Sequence, residues 1–373
     1  MIAKVKTVLE QLEEVVKVDA DTFDFDYIKT LPFIPHDATS NQGFIHESLI
    51  DPRNRDVVDQ TVQELKGQSW EDVYAVCVAR IAKKVIPLIS GRVLAQTSTS
   101  HAYDTDYIVG HARLYAKSFE AEGITRDRFC VKIPVTSAGI KAAQILKEEG
   151  IPTLGTALFS LHQAIAASQA GMHAISMYLN EIPAHSVAGV YPDVADPATQ
   201  APMAARHMHI RETYNRLAKE TGKPQPQMKT ASFCVPGDVL ACADLGADHV
   251  TVGTPILTDL MEYSTIPEYR PGMWHVPFKV QAEDKEREWH VWAPGKPSDA
   301  RMQALLKVDP ASSVPADKWT MASTDVDYTA PGVVDQYNEA DPATRDRLAM
   351  ALKFFNGKET ESKEFLEGLQ AAA

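Results

Sequence analysis

RFCVKIPVTSAGI, residues 128–140, decides how the rest of the chain is read. Phe129, Val131 and Ile133 are aromatic or β-branched, as a buried strand requires, and Pro134 and Thr136 mark its end. The amphipathic AGIKAAQILKEEG follows as a helix. The same unit recurs on both sides. Candidate strands are VVKVDAD (15–21), HDATSN (36–41), GRVLAQT (91–97), FCVKIPV (129–135), TLGTALF (153–159), HAISMYL (173–179), QMKTASF (227–233) and DHVTVG (248–253). Helical stretches lie between most of them. SLHQAIAASQAG opens on a Ser160 cap and closes at Gly171, and PGDVLACADLGA puts Pro236 and Gly237 at a helix start. Strands alternating with helices mean a parallel sheet, and about eight such units predict an α/β fold of (β/α)8 TIM-barrel type. A doubly wound open sheet is the alternative. No GxGxxG follows an early strand, so a dinucleotide site has no support.

Two stretches interrupt the repeat. Residues 42–90 add helix after the second strand, most clearly SWEDVYAVCVARIAKKVIPLI. Residues 265–320 are rich in proline and hold Trp274, Trp289, Trp292 and Trp319, four of the five tryptophans. Such an excursion reads as a packed cover or a subunit contact, with a homodimer in view. From ATRDRLAMALKFF onward the sequence reads as a terminal helix running into a polar tail. The expected organisation is a barrel core over 1–264, with the excursion and C-terminal helices of 265–373 packed on the same domain.

With 373 residues, 45% of them hydrophobic, the chain can bury a large core. A net charge of −13 argues against binding to nucleic-acid phosphates or to anionic membranes. The N-terminal helix places Ile2, Val5, Val8, Leu9, Leu12 and Val16 at helical spacing among charges, unlike a secretion signal. No apolar run reaches the roughly 18 residues of a membrane span. Cys77, Cys130, Cys234 and Cys242 form no CxxC and read as reduced core residues of a cytoplasmic protein. His207 and His209 lie two apart on a helix and do not share a face, so no metal is expected there, and no cofactor is expected either.

Lys132 is the residue that needs explaining. Burial disfavours its charged form, and a neutral amine is a nucleophile that attacks a ketone to form a Schiff base. An isolated strand lysine would more simply snorkel outward between barrel and helices. Other polar residues occupy the same ends of other strands, however: Asp21, Asn41, Gln96, Thr156, Ser176 with Tyr178, and Ser232. One such residue is usually a helix cap. A set drawn from most strands is what a polar barrel mouth requires.

VKIPVTSAGIKAAQILKEEGI resembles the lysine segment of the transaldolase family. DADTFD and HDATSN are similar to that family's first two strand ends, and GTALFSLHQAIAASQAGMHAIS to its fifth and sixth units. The likeness runs from about residue 15 to residue 260. It implies a class I aldolase with Lys132 as Schiff-base lysine, Asp21 as acid/base and Thr156 holding a catalytic water. Asn41 and Ser176 would bind the dihydroxyacetone unit. Apart from the resemblance, Thr39, Glu181 and Ser232 are further candidate substrate contacts, Glu181 as a hydrogen-bond acceptor for hydroxyls.

The sequence also departs from the family. Gln96 stands where most transaldolases have glutamate and Tyr178 where most have phenylalanine. Both resemble the fructose-6-phosphate aldolase branch, in which the tyrosine serves as proton shuttle. The family holds phosphate with arginines in segments like SPFVGR and ASFR; here SMYLNE and ASFC supply Glu181 and Cys234, and Leu154 replaces a family asparagine. Carboxylate repels phosphate, and a thiol cannot replace a bidentate guanidinium. A non-phosphorylated sugar or hydroxyketone is therefore the expected substrate. Lys229, Arg206 or Arg211 could instead build a new anion site for a true transaldolase of the pentose phosphate pathway. A third reading is a non-catalytic relative that binds through the tryptophan-rich excursion.

Overall fold

All eight expected strands form, each inside its expected segment. They are β1 (Lys17–Ala20), β2 (Ala38–Thr39), β3 (Val93–Gln96), β4 (Phe129–Pro134), β5 (Thr153–Leu158), β6 (Ala174–Met177), β7 (Gln227–Thr230) and β8 (His249–Val252). In the computed structural model, which describes residues 6–192, 194–262 and 300–373, they pair in parallel and in sequence order. β8 returns to β1 with Lys17 opposite His249 and Ala20 opposite Val252. That closure makes the sheet a (β/α)8 barrel and excludes the open doubly wound sheet.

The helices start and stop where the sequence signals them. Ser160 accepts the Gln163 N–H at the head of Leu161–Ala170, and Gly171 ends that helix with φ 72, a left-handed conformation that suits glycine. The inserted helix runs Trp70–Val85. Trp319 stacks on His209 with ring centroids 4.7 Å apart. Trp274, Trp289, Trp292 and the boundary at 264 lie outside the described residues. Among the described residues no helix is long and apolar enough to cross a membrane.

The last helix, Pro342–Ala372, has 31 residues. It packs on Gln42–Ile50, on Trp70–Val85, on β5 and on the short turn Ile182–His185 after β6. Its buried seam reads Leu348, Leu352, Phe355, Glu359, Ser362 and Leu366, alternating steps of four and three. The helix thereby reaches the ends of the strands as well as the outer helices.

The barrel interior is layered. At one level Leu94, Cys130, Leu154 and Ala174 form a small apolar cluster supplied by β3 to β6. The other four strands supply charge. Lys229 Nζ lies 3.1 Å from Asp19 and 2.9 Å from Asp37, and His249 Nδ1 lies 2.9 Å from Asp19. Burial alone would push the Asp19 carboxyl up, but Lys229 and His249 outweigh it and hold it at about 2. Gly91 makes room for this network, because a Cβ there would stand 2.1 Å from the Asp37 carboxylate. Conversely, removing the cation strands two buried carboxylates. Lys229→Met is therefore expected to cost about 3–5 kcal/mol of stability, the usual penalty for breaking a buried pair. Chemical denaturation checks this, and a loss below about 1 kcal/mol would mean the network is not buried as described.

Candidate active site

Side chains two residues apart on a strand point the same way, so the layer above the apolar cluster is read directly from it. Beyond Leu94, Cys130, Leu154 and Ala174 come Gln96, Lys132, Thr156 and Ser176, all buried. Gln96 pairs in register with Lys132, and Thr156 with Pro134. The lysine therefore points into the barrel at the C-terminal ends of the strands and does not snorkel outward; it is 5% exposed.

Asp21 completes the ring from β1. Its backbone N–H donates to the Val252 carbonyl, and Thr39 donates its hydroxyl to the carboxylate. Burial lowers the Lys132 pKa while the charge of Asp21 pulls it back up. Burial raises the Asp21 pKa, against the opposing pull of Lys132 and the Thr39 hydrogen bond. Both groups are thus shifted toward their neutral forms, one as free amine and one as free acid. A nucleophile beside a proton donor and acceptor is what imine chemistry needs.

Tyr178 lies across the mouth from them. Its hydroxyl is 3.3 Å from Thr156 Oγ1, and its ring meets Phe159 edge-on at 5.3 Å. Burial raises its pKa, only partly offset by Thr156, so the phenol stays protonated. A register shift in β5 between Gly155 and Leu158 brings Ala157 to φ 51 beside Thr156. Ser232, after β7, has φ 66. Such backbone strain at non-glycine residues clusters at functional sites.

Gln96 differs from its neighbours. Its carbonyl accepts from Tyr115 Oη at 3.1 Å and Gln42 Nε2 at 3.4 Å. Both ends of its side-chain amide are buried without a protein partner. An amide left bare inside a protein costs about 1–3 kcal/mol unless water or ligand completes it. Asn41 is more constrained, because its Oδ1 caps the helix Gln42–Ile50 by accepting from Gly43 and Phe44. Only its amide N–H groups are left to face a ligand.

The rim after β6 and β7 departs from expectation. Glu181 is not an open acceptor but meets Arg347 of the last helix at 3.3 Å. Ser232 donates to the Asn180 carbonyl at 2.7 Å and lies 2.8 Å from His185 Nε2. The Cys234 thiol is pushed up to about 12 by burial and by Asp238, so it brings no charge. The Asp238 carboxylate accepts from the Asn180 amide at 2.8 Å, the Cys234 N–H at 2.9 Å and the Tyr191 hydroxyl at 3.0 Å. Burial still outweighs these bonds and raises its pKa to about 6.

None of the three cations suggested by the sequence is free to form an anion site. Lys229 belongs to the buried network with Asp19, Asp37 and His249. Arg206 pairs with Asp309 at 3.0 Å and Asp341 at 2.6 Å, and Arg211 with Asp248 at 2.7 Å. Each is fastened by carboxylates drawn from other elements. His207 and His209 also serve separate partners, the Thr230 hydroxyl and the Leu305 carbonyl. The sequence reading does not single out Arg347 or Asp238. Asp238 has a faint signal, an acid in the first turn of the Pro236–Asp244 helix. Arg347 has none, since it lies 166 residues from Glu181.

A buried lysine and carboxyl at the open end of a (β/α)8 barrel suit the class I aldolases, enzymes that work through a lysine. Comparison with known proteins gives the family. The family model described as Transaldolase/Fructose-6-phosphate aldolase matches residues 18–290. The transaldolase of Nostoc punctiforme is 34% identical over 272 residues, 70% of this chain and 78% of that protein. Those of Methylococcus capsulatus and Haemophilus influenzae are each 32% identical, covering 68% and 69% of this chain and 77% and 80% of theirs. A solved structure, the Amycolatopsis orientalis BexX/CysO complex, matches with TM-score 0.36 and 16% identity over 71% of this chain and 88% of that one. The chain belongs to the transaldolase/fructose-6-phosphate aldolase family and is an enzyme of class I aldolase type.

Since Asp21 raises the Lys132 pKa, Asp21→Asn should lower it further below the ordinary lysine value of 10.5. The pH dependence of borohydride trapping with dihydroxyacetone measures this. The midpoint should move to lower pH in the variant, and an unchanged or higher midpoint contradicts the pairing.

Proposed function

We propose that the enzyme makes and breaks a carbon–carbon bond beside the ketone of a dihydroxyacetone-type donor, with a partner aldehyde or sugar that carries no phosphate. Lys132 as free amine attacks the ketone. Asp21 transfers protons to and from the carbinolamine oxygen, and water leaves to give the iminium. Asp21 then accepts the proton of the hydroxyl beyond the scissile bond, the bond breaks toward the iminium, and the aldehyde departs. Protonation of the enamine carbon and hydrolysis release the free ketone. Thr156, Tyr178 and Gln96 are assigned to this water and proton traffic, Tyr178 as the donor. Asn41, Ser176 and Thr39 hold the donor hydroxyls. No metal or cofactor enters this scheme.

The observation that carries the substrate class is the rim. At the positions that resemble the family's phosphate arginines stand Glu181 and Cys234, with the Asp238 carboxylate directly behind Cys234. A phosphate dianion would meet two carboxyl groups and an uncharged thiol there. A hydroxyl-bearing end carries no charge for those carboxyls to repel.

A second reading rests on one contact. Arg347 holds Glu181 through a single bond of 3.3 Å, so its guanidinium retains donors for an anion. Turned to phosphate, it would make the enzyme a true transaldolase. Arg347→Ala separates the two. The first reading expects turnover of unphosphorylated fructose to persist and the preference over fructose 6-phosphate to stay the same. The second expects the phosphate ester's KM to rise about ten- to a hundredfold, the scale of one charged hydrogen bond.

Lys132→Met should stay folded and lose both trapping and turnover; wild-type turnover in that variant would end the Schiff-base assignment. Glu181→Arg with Cys234→Arg should raise selectivity for phosphorylated substrates in steady-state kinetics. No change in selectivity would count against the rim argument.

A further inference from the structure

Glu359 occupies the middle of the apolar seam of the last helix, between Phe355 and Leu366, and is buried. An aliphatic side chain would be cheaper there, because a buried carboxylate persists only where donors surround it. Three do. Ser98 and Ser100 donate their hydroxyls to Oε1 at 2.5 Å and 3.1 Å, and the Thr99 N–H donates to Oε2 at 3.0 Å. All three belong to the loop that leaves β3 directly after Gln96 and Thr97.

The same loop is tied to the reacting lysine's strand. Thr97 donates its backbone N–H to the Lys132 carbonyl at 3.0 Å and its hydroxyl to the same oxygen at 3.3 Å. On the flank away from the last helix, His111 Nδ1 accepts the Ser98 N–H at 3.0 Å. Every contact that fixes this strand end is therefore made to backbone or to the loop hydroxyls. The Gln96 amide has no side-chain anchor of its own. Its aim is set by the backbone that carries it.

We propose that Glu359 is a positioning residue: through residues 98–100 it holds the end of β3 so that the Gln96 amide is presented to the imine formed on Lys132. The inference rests on the reading of Gln96 as part of the water and proton traffic. It makes the C-terminal helix a part of the catalytic apparatus, although none of its residues is assigned to the substrate's reacting atoms.

The test is a double-mutant cycle in the full chain, with turnover of unphosphorylated fructose and borohydride trapping of dihydroxyacetone as readouts. Glu359→Ala should still trap at Lys132, keep KM within about threefold, and lose kcat by about ten- to a hundredfold, the scale of a misplaced positioning group. Combined with Gln96→Ala it should add little to the loss caused by Gln96→Ala alone, because the two act through one group. Ser98→Ala with Ser100→Ala removes two of the donors from the loop side and should reproduce the kcat loss in smaller degree, even if Glu359→Ala fails to fold. Leu366→Ala loosens the same seam without touching the loop and should lower the melting temperature with kcat intact. Multiplying losses in the double variant, or an equal kcat loss from Leu366→Ala, would reduce Glu359 to a helix anchor and overturn the proposal alone. Failure of the unaltered protein to trap at Lys132 would overturn the reading of the reaction and this inference with it.

Discussion

Lys132 and Asp21 face each other where burial favours neither charge. Each raises the other's tendency to ionise, and the loss of hydration lowers it. The net shift moves both groups toward their neutral forms. Leu94, Cys130, Leu154 and Ala174 lie beneath Lys132, the Asp19 network lies beneath Asp21, and a ring of hydroxyls and one amide surrounds the pair.

The interior therefore contains two charged levels with opposite characters. Below, Lys229 is fully matched by Asp19 and Asp37, so its charge is fixed and inert. Above, Lys132 has one acid partner and remains chemically available. Two buried lysines on the same barrel are shifted in opposite directions because one is saturated with carboxylates and the other is not. The rim shows the same logic. Positive charge near the mouth is bound to carboxylates of the chain itself, Arg206 to Asp309 and Asp341, Arg347 to Glu181. Asp238 adds a buried acid beside Cys234.

How much of this was legible follows from the range of each interaction. The strands, the Ser160 cap and the Gly171 stop were readable because hydrophobic period and cap chemistry are local. The polar ring was readable because a barrel turns strand register into a layer: once eight strands are accepted, Gln96, Lys132, Thr156 and Ser176 fall together. Ion pairing was not readable. Arg206, Arg211 and Lys229 looked available, and their partners lie 103, 37 and 210 residues away for Asp309, Asp248 and Asp19. Glu181 looked like an open acceptor because nothing in SMYLNE announces Arg347. Glu359 does carry a local signal, a single acid at a seam position in a long helix.

The position of that helix in the chain also orders events during synthesis. Chains emerge N-terminus first, so all eight strands, ending at Val252, leave the ribosome well before Glu359 does. A barrel that closes early has its amine in place while the loop after β3 still lacks the carboxylate that gathers residues 98–100. The mouth is finished last, by the most distant part of the sequence. A chain that closes its barrel before that helix docks would hold Lys132 in a mouth whose β3 loop is not yet gathered.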